Sequence, residues 1–278
     1  MTNDAAAMLV ASLDLPAFAP VLARVGGVVS FFPLLGADLI PVRFRIVLAV
    51  ALAWVLRPIV PAAAAAAAGG ASAASGLHTA SGAGGFAGLI AGELLVGALL
   101  GFSAQVAIAA FEAAGQFVGF QMGLTLSGII DPVNGEQASA ISVFYRLVAL
   151  VLYFSIGAHH AFLFAIRDSY AWVGPGLAVP GSGLAPLLAR ITGGLFVLAL
   201  RIAAPALVVA IVIDVALLLA ARALPQVNLL MLGYPVKIAL GLLAIASGLV
   251  VTPRLAAESL RIATDQAHAL AAALAPAH

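Results

Sequence analysis

From Phe86 to Leu126 the chain is apolar and carries only two ionisable side chains, Glu93 and Glu112. A helix needs about 20 mostly apolar residues to cross a bilayer core, so this stretch is roughly twice as long as one span requires. A second such stretch, Leu184 to Leu224, holds Arg190, Arg201, Asp214 and Arg222. A soluble fold of this size could not cover both. Of the 278 residues, 64% are hydrophobic and 8% charged, against about 25% charged in ordinary soluble domains. The chain is expected to be all-α: a multi-pass membrane protein built from long apolar helices with kinks and breaks.

The same template gives about six segments. They are Ala5–Leu35, interrupted by Asp14, Pro16, Pro20 and Arg24; Pro41–Val60; Phe86–Leu126; Ala138–Ile166; Leu184–Leu224, with Pro205 near its centre; and Val227–Val251. The Ala/Gly/Ser-rich stretch 61–85 is expected as a linker within a single domain 1–278. Residues 264–278 are expected as an exposed Ala-rich tail. Breaks fall at Asp131-Pro132-Val133-Asn134-Gly135, Gly174-Pro175-Gly176, Pro180-Gly181-Ser182-Gly183 and Pro225-Gln226-Val227-Asn228, which combine turn formers with helix breakers. Met1-Thr2-Asn3-Asp4 lacks the basic start of a signal peptide, so the first apolar segment is expected to be retained. Arginines divide too evenly between the two sides of a six-span layout to fix an orientation.

The lack of Cys excludes disulfides and thiolate chemistry, and a net charge of +1 argues against nucleic acid as a partner. No HExxH, GxGD or GxxxxGK pattern is present. His159 and His160 are adjacent, about 100° apart on a helix, and cannot hold one metal from one face. No enzyme, cofactor or metal is expected.

Six charges lie deep in apolar runs: Glu93, Glu112, Arg146, Arg201, Asp214 and Lys237, the single lysine. Each would cost at least about 2.5–3.5 kcal/mol facing lipid at the bilayer centre. They are expected to face protein, water or one another. Interhelical ion pairing, a proton or ion path, and a position outside membrane depth are all open readings.

With about 100° per residue, Gly101, Gln105, Glu112, Gln116, Gly119 and Gly123 fall in a stripe about 60° wide. Small residues at such spacing let helix backbones approach closely. The stripe is read as a packing seam or as the wall of a wet cavity. An apolar loop follows: Thr125-Leu126-Ser127-Gly128-Ile129-Ile130-Asp131-Pro132. Such a loop either is a buried connection or closes a pore by excluding water.

Ordered motifs then carry a resemblance. They are Arg24-Val25-Gly26-Gly27 with Phe32-Pro33-Leu34-Leu35-Gly36; Pro41 with Arg43 and Arg45; Gly119-Phe120-Gln121-Met122-Gly123 with Asp131-Pro132 and Gly135; Gly157-Ala158-His159-His160; and Ala221-Arg222-Ala223-Leu224-Pro225-Gln226-Val227-Asn228 followed by Gly233-Tyr234-Pro235-Val236-Lys237-Ile238. Together they resemble the FliR family of flagellar type III secretion export-gate subunits. The resemblance implies helical hairpins in an assembly with FliP and FliQ, near FlhA and FlhB, in the inner membrane within the flagellar basal body. It implies passage of unfolded flagellar proteins, and helices that need not all span the bilayer. It implies that Leu124, Thr125, Leu126, Ser127, Gly128, Ile129, Ile130 and Asp131 form a channel plug. Arg201, Asp214, Arg222, Pro225, Asn228 and Lys237 are then expected as assembly contacts. Two other functions compete. A secondary solute transporter would show internal pseudo-symmetry, and no repeat of fixed period is visible. A virulence-type export subunit would differ only in the machine it serves.

Overall fold

A computed structural model of the chain describes residues 15–32, 40–58, 83–124, 139–174, 183–223 and 229–274. Among them every regular element is a helix: α1 Leu15–Phe31, α2 Val42–Leu56, α3 Ala83–Gln121, α4 Ala140–Ser155, α5 Ala158–Trp172, α6 Leu184–Ala223, α7 Leu229–Gly248 and α8 Thr252–Leu274. The chain divides into two compact units. One comprises Met1–Gln105, Ala158–Ile191 and Ile262–His278; the other comprises Val106–Gly157 and Thr192–Arg261.

The first unit is built on helix-spaced apolar rows. Val21, Val25 and Val28 of α1 are buried with Ala49, Ala53 and Leu56 of α2, Val96 and Leu100 of α3, Ile166 and Tyr170 of α5, and Leu274 of α8. Residues at i, i+4 and i+7 share one helix face, which is why these rows are legible in the sequence. Phe18 meets Trp54 edge-on at 6.1 Å. Glycines set the closest backbone approach. A Cβ on Gly97 would collide with the Arg24 carbonyl oxygen, and one on Gly27 would lie 2.5 Å from the Leu94 carbonyl oxygen.

In the second unit the same device joins α3 to α4, since a Cβ on Gly115 would sit 2.5 Å from Ser142 Cα. Ser139 caps α4, its side chain accepting from the Ile141 N–H at 3.3 Å. Along α6 the buried row is Ala199, Ala203, Ala206, Ala210 and Ile213. Pro205 is accommodated within that helix.

Three expectations change. The segment Ala138–Ile166 is two helices, because Gly157 adopts φ +76° after α4; that left-handed conformation ends a helix and suits glycine. Of the expected exposed tail 264–278, the part up to Leu274 is the last part of α8, where Ala263, Ala267, Leu270 and Leu274 are buried at helical spacing and His268 lies 4.4 Å from the Trp172 ring; 275–278 lie outside the described residues. The helix after the linker already includes Ala83, Gly84 and Gly85; the rest of 61–85 lies outside the described residues.

Among the described residues, Gly84–Gln121 and Leu184–Arg222 are long and apolar enough to cross a membrane, with mean hydropathy 2.1 and 2.7. Two further helix pairs, each bent at a short break, bring the total to at most four. The chain is therefore a multi-pass, all-α membrane protein. Among the described residues, α2 has 15 residues, short of the roughly 20 a span needs.

Candidate functional site

Among the described residues, each unit holds a polar network in otherwise apolar surroundings. In the first unit Arg24 stands midway along α1, and Glu93 faces it from α3. Arg24 Nε donates to Glu93 Oε2 at 2.6 Å and Nη2 donates to Oε1 at 3.1 Å. Nη1 donates to Ser169 Oγ and Nη2 to the Val173 carbonyl oxygen, both at 3.0 Å. The guanidinium also covers the Tyr170 ring at 3.8 Å. Both charged side chains are 0% exposed. A planar fork suits a bidentate carboxylate contact and a stacked ring together. The geometry has no open edge for a ligand, so it fixes the register of α1, α3 and α5 rather than supplying a reactive group.

The network of the second unit is more open. Lys237 Nζ donates to Asp214 Oδ1 at 2.7 Å and to Oδ2 at 2.9 Å. Gln121 Nε2, in the last turn of α3, donates to the same Oδ2 at 2.9 Å. Lys237 is 13% exposed and Asp214 44%. Beside them is a cavity of about 300 Å³ lined by Asp214, Leu217, Leu218, Ala221, Gly233, Tyr234 and Lys237. Gly123 leaves α3 with φ +76°, and a Cβ there would meet the Tyr234 ring at 2.6 Å. The place where the chain departs from α3 is thus defined by contacts to α6 and α7.

Residues 15–262 match the family described as bacterial export proteins, family 1. The chain belongs to that family. The relatives agree. The flagellar biosynthetic protein FliR of Bacillus subtilis is 37% identical over 150 residues, 53% of this chain and 58% of that protein. The FliR of Caulobacter vibrioides is 28% identical over 229 residues, 82% of this chain and 86% of that protein. The FliR of Escherichia coli is 24% identical over 230 residues, covering 83% and 82%. The chain therefore spans a little over half the length of the Bacillus relative and most of the other two.

In this bacterial export protein the expected site residues fall into several places. Leu124 is exposed at the end of the turn after α3; Thr125 to Asp131 lie outside the described residues, as do Pro225 and Asn228. The glycine stripe does not form one uniform seam. Gly101 packs against Val28 and Phe31, and Gly123 against Tyr234. Gly119 is buried, Gln105 and Glu112 are half-buried, and Gln116 is exposed. Arg201 pairs loosely with Glu258 at 3.4 Å, with both side chains more than half exposed. Arg222 is exposed and Arg146 half-buried. Asp214 and Lys237, expected to reach other subunits, have each other as partners. Among the described residues, no group of His, Cys, Asp and Glu could hold a metal ion.

The sequence reading missed Arg24 and Gln121 as network members. For Arg24 the signal was present: Gly27 lies three residues on, and Gly97 follows Glu93 by one turn. A charge followed by a glycine on each of two apolar helices marks a place where backbones can approach and cover an ion pair.

Proposed function

We propose that this chain is a membrane-embedded subunit of the flagellar protein export apparatus. With FliP- and FliQ-like proteins it forms the channel through which unfolded flagellar proteins leave the cytoplasm, in the inner membrane at the flagellar basal body, beside FlhA- and FlhB-like proteins. The observation that carries this reading is the family match over 15–262, together with FliR relatives aligned along four fifths of the chain. The surface supports it. On α6 alone Val208, Ile211, Val212, Val215, Leu218 and Leu219 are each more than half exposed. Contiguous apolar area of this extent needs cover from lipid or other subunits. The role is passage rather than catalysis.

Leu124–Asp131 is proposed as the plug of that channel. An apolar segment excludes hydrated ions, yet yields when a polypeptide is pushed through. Arg201, Asp214, Arg222, Pro225, Asn228 and Lys237 are proposed as assembly contacts. The 44% exposure of Asp214 leaves one side of its carboxylate for a neighbour.

The test is co-expression of the tagged chain with the FliP- and FliQ-like proteins of the same bacterium. They are expected to purify together at fixed stoichiometry, and Asp214→Ala or Lys237→Ala to lower recovery several-fold. A chain that purifies without those proteins would overturn the assignment, and full recovery of both variants would remove these charges from the assembly contacts.

A further inference from the structure

Three consecutive residues at the end of α3 are each engaged by α6 or α7. Gln121 donates to Asp214, whose carboxylate is held by Lys237. Met122 is buried over Gly241, where a Cβ would meet Met122 Cε at 2.5 Å. Gly123 turns left-handed against the Tyr234 ring. Tyr234, Lys237 and Gly241 follow at spacings of three and four, so one face of α7 meets Gly123 and Met122 and holds the carboxylate that Gln121 engages.

The polar contact is of a particular kind. A neutral amide donates to a carboxylate whose charge is balanced by a lysine, which makes the bond charge-assisted. Asp214, Lys237 and Tyr234 also line the cavity of about 300 Å³. There the side chains that hold the turn have space to take a second arrangement, which a close-packed core would deny them.

We propose that Gln121, Asp214 and Lys237 form a latch that sets where the chain leaves α3, with Gln121 as its positioning residue. Breaking the Gln121–Asp214 bond frees the turn Met122–Leu124 without dissolving the ion pair. The bearing of this latch on channel closure rests on the function proposed above; the position of the turn does not.

The chain has no Cys, so Leu124→Cys gives this subunit one thiol for a nitroxide spin label. Spectra are recorded on the purified complex, with the unsubstituted complex as background. Gln121→Leu, close in size but without a donor, is expected to at least double the mobile fraction. Gln121→Lys, which still donates to Asp214, is expected to leave the spectrum as in the parent. If Gln121→Leu does not assemble, Gln121→Asn, one methylene shorter, takes its place in the comparison. An unchanged spectrum in Gln121→Leu, or equal mobility in the Leu and Lys variants, would overturn the latch. The outcome is separable from the channel reading, because removing Ser127 to Ile130 tests closure by ion leak and does not alter the three latch residues.

Discussion

Arg24 can sit inside an apolar helix because each of its three guanidinium nitrogens has a hydrogen-bond partner. Its guanidinium meets a carboxylate, a hydroxyl, a carbonyl and a ring within one shell. Removing one partner of a buried pair strands the other charge, at a cost of about 3–5 kcal/mol; replacing both with apolar groups of similar size is often close to neutral. Arg24→Met is therefore expected to lower the thermal midpoint and yield of the purified complex sharply, whereas Arg24→Met combined with Glu93→Leu recovers most of both. A double variant no better than the single would show that the pair supplies more than mutual neutralisation. The exposed Arg201–Glu258 contact makes a contrast, since such pairs contribute about 0–1 kcal/mol. In the sequence Glu93 was legible as a charge that could not face lipid. Its partner was harder to name, because the pair spans 69 residues: the glycines beside each charge mark a close approach on each helix but do not say which two helices meet.

Helix positions were read well where length and hydropathy decide them. The expected Leu184–Leu224 became α6, Leu184–Ala223, and Pro41–Val60 became α2, Val42–Leu56. The misses have physical causes. Gly157 differs in its conformation, not its identity, from the glycines that continue through helices, so the break before α5 was hidden. The tail was judged by alanine content, yet Ala263, Ala267, Leu270 and Leu274 carry a helical period that burial exploits. Of the site, the chain's exit from α3 was located by motif, but Gln121 was noted as part of a motif rather than as a hydrogen-bond donor. The segment beyond that exit is where an element-level prediction belongs. If it closes the channel, deleting Ser127 to Ile130 makes the assembled complex conduct ions many-fold more than the parent while subunit recovery is unchanged. Parental conductance in a fully assembled complex would remove the segment from closure.

At 39 residues α3 is about 58 Å long, nearly twice the roughly 30 Å thickness of a hydrocarbon core. Such a helix reaches beyond the bilayer core, and exposed apolar side chains on α2, α4, α6 and α7 leave surface for neighbours. The buried pair of the first unit also constrains the timing of membrane insertion. During synthesis α1 emerges with Arg24 before Glu93 exists, and an arginine released alone into lipid would cost at least about 2.5–3.5 kcal/mol. The two residues are 69 apart, so at about 5–20 residues per second the first helix waits about 3–14 s for its counter-charge. We predict that a photo-crosslinker in α1 stays attached to the insertion machinery until α3 has been made, and that Glu93→Leu prolongs the attachment. Departure of α1 before Glu93 is synthesised would show that the arginine finds another shelter; otherwise the order of translation is itself a determinant of how this chain enters the membrane.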